Sequence, residues 1–291
     1  MGQDLAYFNG RFITLDDPVL PIEERGLQFG DGIYEMLRIY DGHPYTVAEH
    51  IDRLWNSAAA ILLDLPLSKQ ELSDLVYGGI ARAGIRQGTV YIQVTRGSSP
   101  RNHVFPIGVQ ANLYVIWKEG VPELTQLRQK GITAHTFEDE RWSNCYIKSL
   151  CLLPNVLAKE KARRLGAHEA LFVRDGKLKE GASANVFIVK DGTFFTPAAD
   201  RSILNGITRQ KMIALLRAHN VTVTEGDIPA AMLQEADEVF ITSSIQEALP
   251  IIRVDETVIG SGMPGPYFAK LLAWYEEDVQ RTIAAMEDAQ V

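Results

Sequence analysis

Apolar and polar positions alternate at the start of the chain. Ala6-Tyr7-Phe8 and Arg11-Phe12-Ile13 flank Asn9-Gly10, and Asn-Gly between such runs predicts a tight β-hairpin. A second strand pair is predicted from Gly32 to Tyr40 and from His43 to Thr46, turning at Asp41-Gly42. The period then lengthens. Ile51, Leu54, Trp55, Ala58 and Ile61 recur at helical spacing behind Thr46 and Glu49, a pair whose separation predicts a capping box. Ser68 and Glu71 repeat that signature for a helix ending near Gly84, and strands are predicted at 89–96 and 111–118 around a polar loop.

The pattern breaks at Glu119-Gly120-Val121-Pro122, which predicts a linker between a small domain, 1–119, and a larger one, 120–291. The second half reads as a short helix, a strand at 132–137 and an apolar run from Cys145 to Leu157. From about Leu152 that run becomes a helix capped at Gly166. Hairpin turns are predicted at Asp175-Gly176 and Asp191-Gly192, a helix at 208–219 behind Gly206, and a strand at 238–242. An amphipathic helix at 266–286 is expected to pack on the large domain. Strands and helices do not alternate as βα units, so the predicted class is α+β in two domains.

Composition narrows the function. Of 291 residues, 46% are apolar and 23% charged, and the formal charge is −8. That balance disfavours nucleic-acid or anionic-membrane partners and leaves small-molecule chemistry. The opening residues lack a secretory pattern, Ala6 replaces the hydroxyl of a myristoylation signal, and no apolar stretch approaches a membrane span. Cys145 and Cys151 fit no zinc motif. The expectation is a soluble, cytoplasmic protein with no structural metal.

Lys148 interrupts the apolar run of Tyr146, Ile147, Leu150, Leu152 and Leu153. A desolvated lysine becomes a nucleophile suited to imine formation, whereas a lysine snorkelling to solvent leaves the same trace. Glu180, ahead of Gly181-Ala182-Ser183-Ala184, can approach a planar ring and pair with a pyridinium nitrogen, or sit in a solvated turn. Leu204-Asn205-Gly206-Ile207-Thr208-Arg209 places free amides at a helix start, where a phosphate or an ordinary cap fits. Ser243 and Ser244 add hydroxyls after a strand, and Arg53 is either a further phosphate ligand or a surface arginine. Arg101 and His103, with Tyr34, carry the donors for gripping a carboxylate. A non-catalytic phosphate-binding module would need only Gly206 to Arg209 and the two serines.

Taken in order, these pieces resemble the class IV (fold type IV) pyridoxal-phosphate aminotransferases, and most nearly the bacterial D-amino-acid enzymes. The resemblance rests on Arg25-Gly26-Leu27-Gln28-Phe29-Gly30-Asp31-Gly32-Ile33-Tyr34-Glu35, Glu49-His50-Ile51-Asp52-Arg53-Leu54, Gln93-Val94-Thr95-Arg96-Gly97 and Ser99-Pro100-Arg101-Asn102-His103. It continues through Ile147-Lys148-Ser149-Leu150, Glu180-Gly181, Asn185-Val186-Phe187 and Gly206-Ile207-Thr208-Arg209. It implies a small α/β domain followed by a larger domain with a mixed, barrel-like sheet, and a homodimer. Lys148 would carry pyridoxal 5'-phosphate as a Schiff base, and Glu180 would face its ring nitrogen. Arg53, Ile207, Thr208 and Ser244 would hold the phosphate with Ser183 nearby, and Leu204 would pack on the ring. Tyr34, Arg101 and His103 would trap the substrate carboxylate, the last two reaching from a partner subunit. The implied reaction moves an amino group from a D-amino acid such as D-alanine to a 2-oxo acid such as 2-oxoglutarate. Two positions depart from the pattern. Arg38 matches an arginine of branched-chain relatives, although Met36 replaces their glycine, and Asn205 stands where a basic residue is expected. The rival activities are branched-chain L-amino-acid transamination, (R)-amine transamination and aminodeoxychorismate-lyase-like chemistry.

Overall fold

The computed structural model describes residues 2–288. Its packing divides the chain into two units. Among the described residues, the first takes 2–121, Ile147–Cys151 and 282–288; the second takes Pro122–Tyr146 and Leu152–Arg281.

In the first unit the strands are Leu5–Phe8 (β1), Arg11–Ile13 (β2), Gly32–Tyr40 (β3), His43–Pro44 (β4), Gly88–Thr95 (β5) and Asn112–Glu119 (β6). They form an antiparallel sheet in the order β2-β1-β6-β5-β3-β4. Asn9 and Gly10 turn the first hairpin with φ of 43° and 94°, as the twist of a two-residue turn requires. Helix α1 (Arg25–Phe29) is short; α2 (Val47–Ala60) and α3 (Lys69–Ala83) pack on the sheet and bury Leu54, Leu72 and Val76 with Leu37, Val90 and Trp117. A Cβ on Gly79 would lie 2.1 Å from the Trp117 ring, so close approach of α3 to β6 depends on glycine there.

The two helix starts differ. Ser68 and Glu71 form the reciprocal capping box. Thr46 does not: it adopts φ 55°, and its hydroxyl donates to the Tyr45 carbonyl at 2.8 Å and accepts no bond from the first amides of α2. The expected box at Thr46 and Glu49 is therefore corrected. The left-handed backbone before α2 follows a tight return from β4, which local spacing does not reveal.

In the second unit the strands are Ile132–Glu138 (β7), Glu169–Arg174 (β8), Lys177–Gly181 (β9), Asn185–Lys190 (β10), Thr193–Pro197 (β11), Val223–Gly226 (β12), Ile228–Pro229 (β13), Glu238–Ser243 (β14), Glu247–Val254 (β15) and Thr257–Val258 (β16). The sheet runs β12-β11-β10-β14-β15-β7-β8-β9-β13, with β16 on β15. Three pairings, β7–β8, β7–β15 and β11–β12, are parallel. The sheet curls into a nearly closed barrel, since β13 at one end approaches β11 near the other. Its interior is filled by Leu171, Leu178, Val186, Ile188, Ile241 and Leu249. Helices α4 (Thr125–Lys130), α5 (Leu153–Arg164), α6 (Ile207–Ala218) and α7 (Pro266–Asp288) complete the chain with a 3-10 turn at Ala230–Glu235. The Glu238 carboxylate accepts the Tyr267 and Phe268 amides at 2.9 and 2.7 Å, anchoring the start of α7.

The apolar run around Lys148 is not one buried element. Ile147–Cys151 is an irregular segment beside β3, with a bridge between Ile33 and Ser149. In α5, Leu153, Val156 and Leu157 are 68%, 59% and 51% exposed, so their hydrophobicity does not serve this chain's own core.

Candidate active site

Strand β3 sorts its residues by alternation. Ile33, Glu35, Leu37 and Ile39 enter the core, while Tyr34, Met36 and Arg38 lie on the other face, half-buried. The Tyr34 amide donates to the Lys148 carbonyl at 3.0 Å, and the Lys148 amide donates to Ser57 Oγ at 3.2 Å. These bonds aim the side chain: Lys148 Nζ stands 4.3 Å from the centre of the Tyr34 ring. The lysine is half-buried, not sealed in apolar surroundings as its neighbours in sequence suggest. Its amine is thus fixed beside an aromatic face while remaining within reach of a ligand.

Behind β3, Arg53 of α2 is no surface residue. Its Nε and Nη2 donate to Glu35 Oε1 and Oε2 at 2.7 and 2.8 Å, and His50 Nδ1 lies 2.7 Å from Glu35 Oε2. Glu35 is wholly buried. Burial opposes its charge, but the adjacent Arg53 and His50 hold it well below the usual carboxylate range. Burial also lowers His50, against the pull of Glu35, so the ring is neutral near pH 7 and donates its N–H to the carboxylate. Glu35 was missed in the sequence, although an acid at a core-facing position of a strict alternation is itself a signal.

Glu180 closes β9 in the second unit, and it too is buried. Its Oε1 accepts from Arg141 Nη1 at 2.5 Å; its Oε2 accepts from Asn185 Nδ2 and the Leu204 amide, both at 3.1 Å. Burial pushes the Glu180 carboxyl up to about 7 against the charge and hydrogen bond of Arg141. Arg141 was not read from the sequence, because it stands in an irregular polar segment. It is fastened through Nε and Nη2 to Asp139 at 2.8 and 3.0 Å and lies 4.3 Å from the Phe172 ring centre. Asn185 also donates to the Leu204 carbonyl at 2.8 Å, locking its amide orientation.

Helix α6 begins at Gly206 with no side-chain cap, so its first amides point outward beside the buried Thr208. A Cβ on Gly206 would lie 2.1 Å from Asn185 Oδ1, which ties this helix start to the residue that holds Glu180. The buried Arg209 pairs with the more exposed Glu225 and also donates to Asn205 Oδ1 at 3.1 Å, so the exposed Asn205 is tied to the first turn of α6. Ser243 and Ser244 follow β14, and Ser243 Oγ accepts the Gln246 amide at 3.3 Å. Thr242 lies directly opposite Asn185 across the ladder, on the same sheet face, and its buried hydroxyl has no hydrogen-bond partner among the described residues. Ser183 is exposed, its Oγ 3.5 Å from Glu169 Oε2.

These residues fit a phosphorylated pyridine. A carboxylate offers about four acceptor sites; Glu180 uses three on fixed donors, leaving one for a protonated ring nitrogen. The uncapped amides at the start of α6 and the unpartnered Thr242 hydroxyl suit a phosphate.

The remaining predicted residues gather in the first unit. Arg101 and Arg25 both stack on Phe29, at 4.7 and 4.8 Å, and the His103 ring centre is 5.4 Å from it. Arg25 Nη1 also donates to the Asn102 carbonyl at 2.6 Å, and Asp31 pairs with both Arg25 and Arg96. A buried ionic frame therefore supports the exposed Arg101 and His103. Arg38 lies over Tyr40 at 5.0 Å, on the strand face of Tyr34.

Comparison with known proteins adds to this geometry. Residues 32–254 match the family model for amino-transferase class IV. The chain is 44% identical to the D-alanine aminotransferase of Listeria monocytogenes serotype 1/2a (strain 10403S), covering 97% of this chain and 98% of that protein. Among solved structures, it is similar to the branched-chain amino acid aminotransferase of Escherichia coli, with TM-score 0.87 and 26% identity over 94% of this chain and 93% of the other. A T.th. branched-chain amino acid aminotransferase with pyridoxamine 5'-phosphate superposes with TM-score 0.86 and 26% identity, covering 95% of this chain and 94% of the other.

Proposed function

Because this chain belongs to the class IV aminotransferases, we infer that it moves an amino group between a D-amino acid and a 2-oxo acid, using pyridoxal 5'-phosphate. The observation that carries the cofactor's placement is Glu180, a buried carboxylate with three fixed donors and one remaining acceptor site. When bound, the cofactor supplies an electron sink for the pair left at substrate Cα. Lys148 would hold the cofactor through Nζ and, once its amine is free, would accept and return the proton at substrate Cα. Glu180 keeps the ring nitrogen protonated. Arg53, Ser183, Ile207, Thr208, Ser243 and Ser244 serve the phosphate, and Leu204 packs on the ring. Tyr34, Arg101 and His103 orient the substrate carboxylate. We also propose a functional division of the chain into a small part, 1–119, and a larger part, 120–291.

We further propose a cytoplasmic homodimer in which Arg101 and His103 act at the partner's site. The exposed apolar side chains beside them, Val104 at 72% and Ile107 at 100%, suit burial by another subunit. Two free cysteines suit a reducing compartment. Among the described residues no helix is long and apolar enough to cross a membrane. Initial rates with D-alanine and L-leucine, each with 2-oxoglutarate, test the reading. Preference for L-leucine would end the D-specific assignment and favour the branched-chain one, for which Arg38 on the Tyr34 face is the supporting observation.

A further inference from the structure

We propose that Arg141 is a positioning residue for catalysis: it holds Glu180 as a carboxylate, so that the shared proton stays on the ring nitrogen of pyridoxal phosphate. This inference rests on the assignment of Glu180 to that nitrogen. A carboxyl group buried alone favours its neutral form, and a neutral Glu180 facing an unprotonated ring would hold the same proton on the wrong partner. Which partner keeps it depends on the charges around Glu180.

Of the three groups that donate to Glu180, only Arg141 carries a formal charge; Asn185 and the Leu204 amide contribute dipoles. Arg141 cannot easily swing away. Two of its nitrogens are bound by Asp139, Nη2 also reaches the Ser202 carbonyl at 3.3 Å, and its plane lies on Phe172. Asp139 is fully buried as a side chain and is held in turn by Arg174 Nη2 at 2.9 Å, which also donates to the Arg141 carbonyl at 3.0 Å. The other titratable neighbour, Cys145, is pushed up to about 11 by burial and stays neutral. Removing Arg141 would leave Glu180 facing the negative Asp139, which drives the proton onto Glu180. Two acids and two guanidinium groups thus form a balanced cluster whose one function-facing contact is the bond from Arg141 to Glu180.

The test loads the full-length wild type, Arg141→Met, Arg141→Lys and Glu180→Gln with pyridoxal phosphate labelled with 15N in the ring. The ring-nitrogen shift is then recorded from about pH 6 to 9, alongside the cofactor Kd. Wild type should show a protonated nitrogen across the range. Arg141→Met should shift it toward the unprotonated form and weaken the cofactor roughly tenfold or more, the scale of one charge-assisted hydrogen bond. Arg141→Lys, which keeps the charge, should retain most of the protonated signal. A protonated nitrogen in Arg141→Met with unchanged Kd overturns the inference. So does Arg141→Lys behaving like Arg141→Met, since shape and not charge would then matter. If Arg141→Met does not fold, the Lys variant decides by the same signal. A protonated nitrogen in Glu180→Gln would instead remove the premise, and is thereby distinguishable.

Discussion

Arg53 and Glu35 meet in a two-pronged ion pair, Nε to Oε1 at 2.7 Å and Nη2 to Oε2 at 2.8 Å, beneath the strand that carries Tyr34. The pair fixes the guanidinium plane of the proposed phosphate ligand from behind. Glu35→Gln removes the charge that balances a mostly buried arginine. Breaking such a pair on one side costs about 3–5 kcal/mol. Urea unfolding of the apoprotein should show that loss, and cofactor titration should show weaker binding. Unchanged values for both would mean that Arg53 is held elsewhere.

Glu180 makes stability depend on pH in the apoprotein. Its folded value is raised from 4.5 to about 7. For a carboxyl raised on folding, the folded chain binds the proton more tightly, so the stabilisation is present below 4.5 and is lost as pH rises through 7. The stability of Glu180→Gln relative to wild type should therefore increase between pH 5 and 8, by up to roughly 3 kcal/mol. Thermal melts of both apoproteins across that range give the comparison; a constant offset would show that Glu180 is ionised throughout. With cofactor loaded, the same variant should lose turnover by orders of magnitude, since a neutral amide cannot stabilise a pyridinium.

Lys148→Ala should fold normally, because the side chain is only half-buried, and should still take up cofactor through the phosphate contacts. It should lose transamination, since nucleophile and proton carrier are one group. Mass spectrometry after borohydride treatment should find no cofactor fixed to the chain. Substantial turnover without added amine would refute the assignment.

Arg101→Leu should reduce kcat/KM for D-amino acids roughly 10- to 1000-fold, the worth of a bidentate arginine–carboxylate contact. A carboxylate-free substrate such as (R)-phenylethylamine never uses that contact and should suffer much less. Arg38→Ala should spare D-alanine and impair dicarboxylic oxo acids if Arg38 binds their distal acid. The branched-chain assignment expects the opposite, with Arg38 required for L-leucine and Arg101 dispensable, so steady-state kinetics of both variants separates the two.

Features legible along the chain are local or cumulative. The turn at Asn9-Gly10, the box at Ser68 and Glu71, and the hairpins at Asp175-Gly176 and Asp191-Gly192 depend on residues adjacent in the chain, so their spacing suffices. The family was legible because many short motifs recur in order, each weak and jointly specific. Folding settled whatever depends on distant partners. Thr46 has the right neighbour three residues on, yet the fold sets its backbone left-handed and turns its hydroxyl to Tyr45. Lys148 lies in an apolar run but is half-buried, because hydrophobicity records burial in whatever a residue packs against, not only in its own core. Glu35 and Arg53 are 18 positions apart, Arg141 and Glu180 39. A buried charge takes its meaning from the opposite charge beside it, and only the folded chain brings the two together.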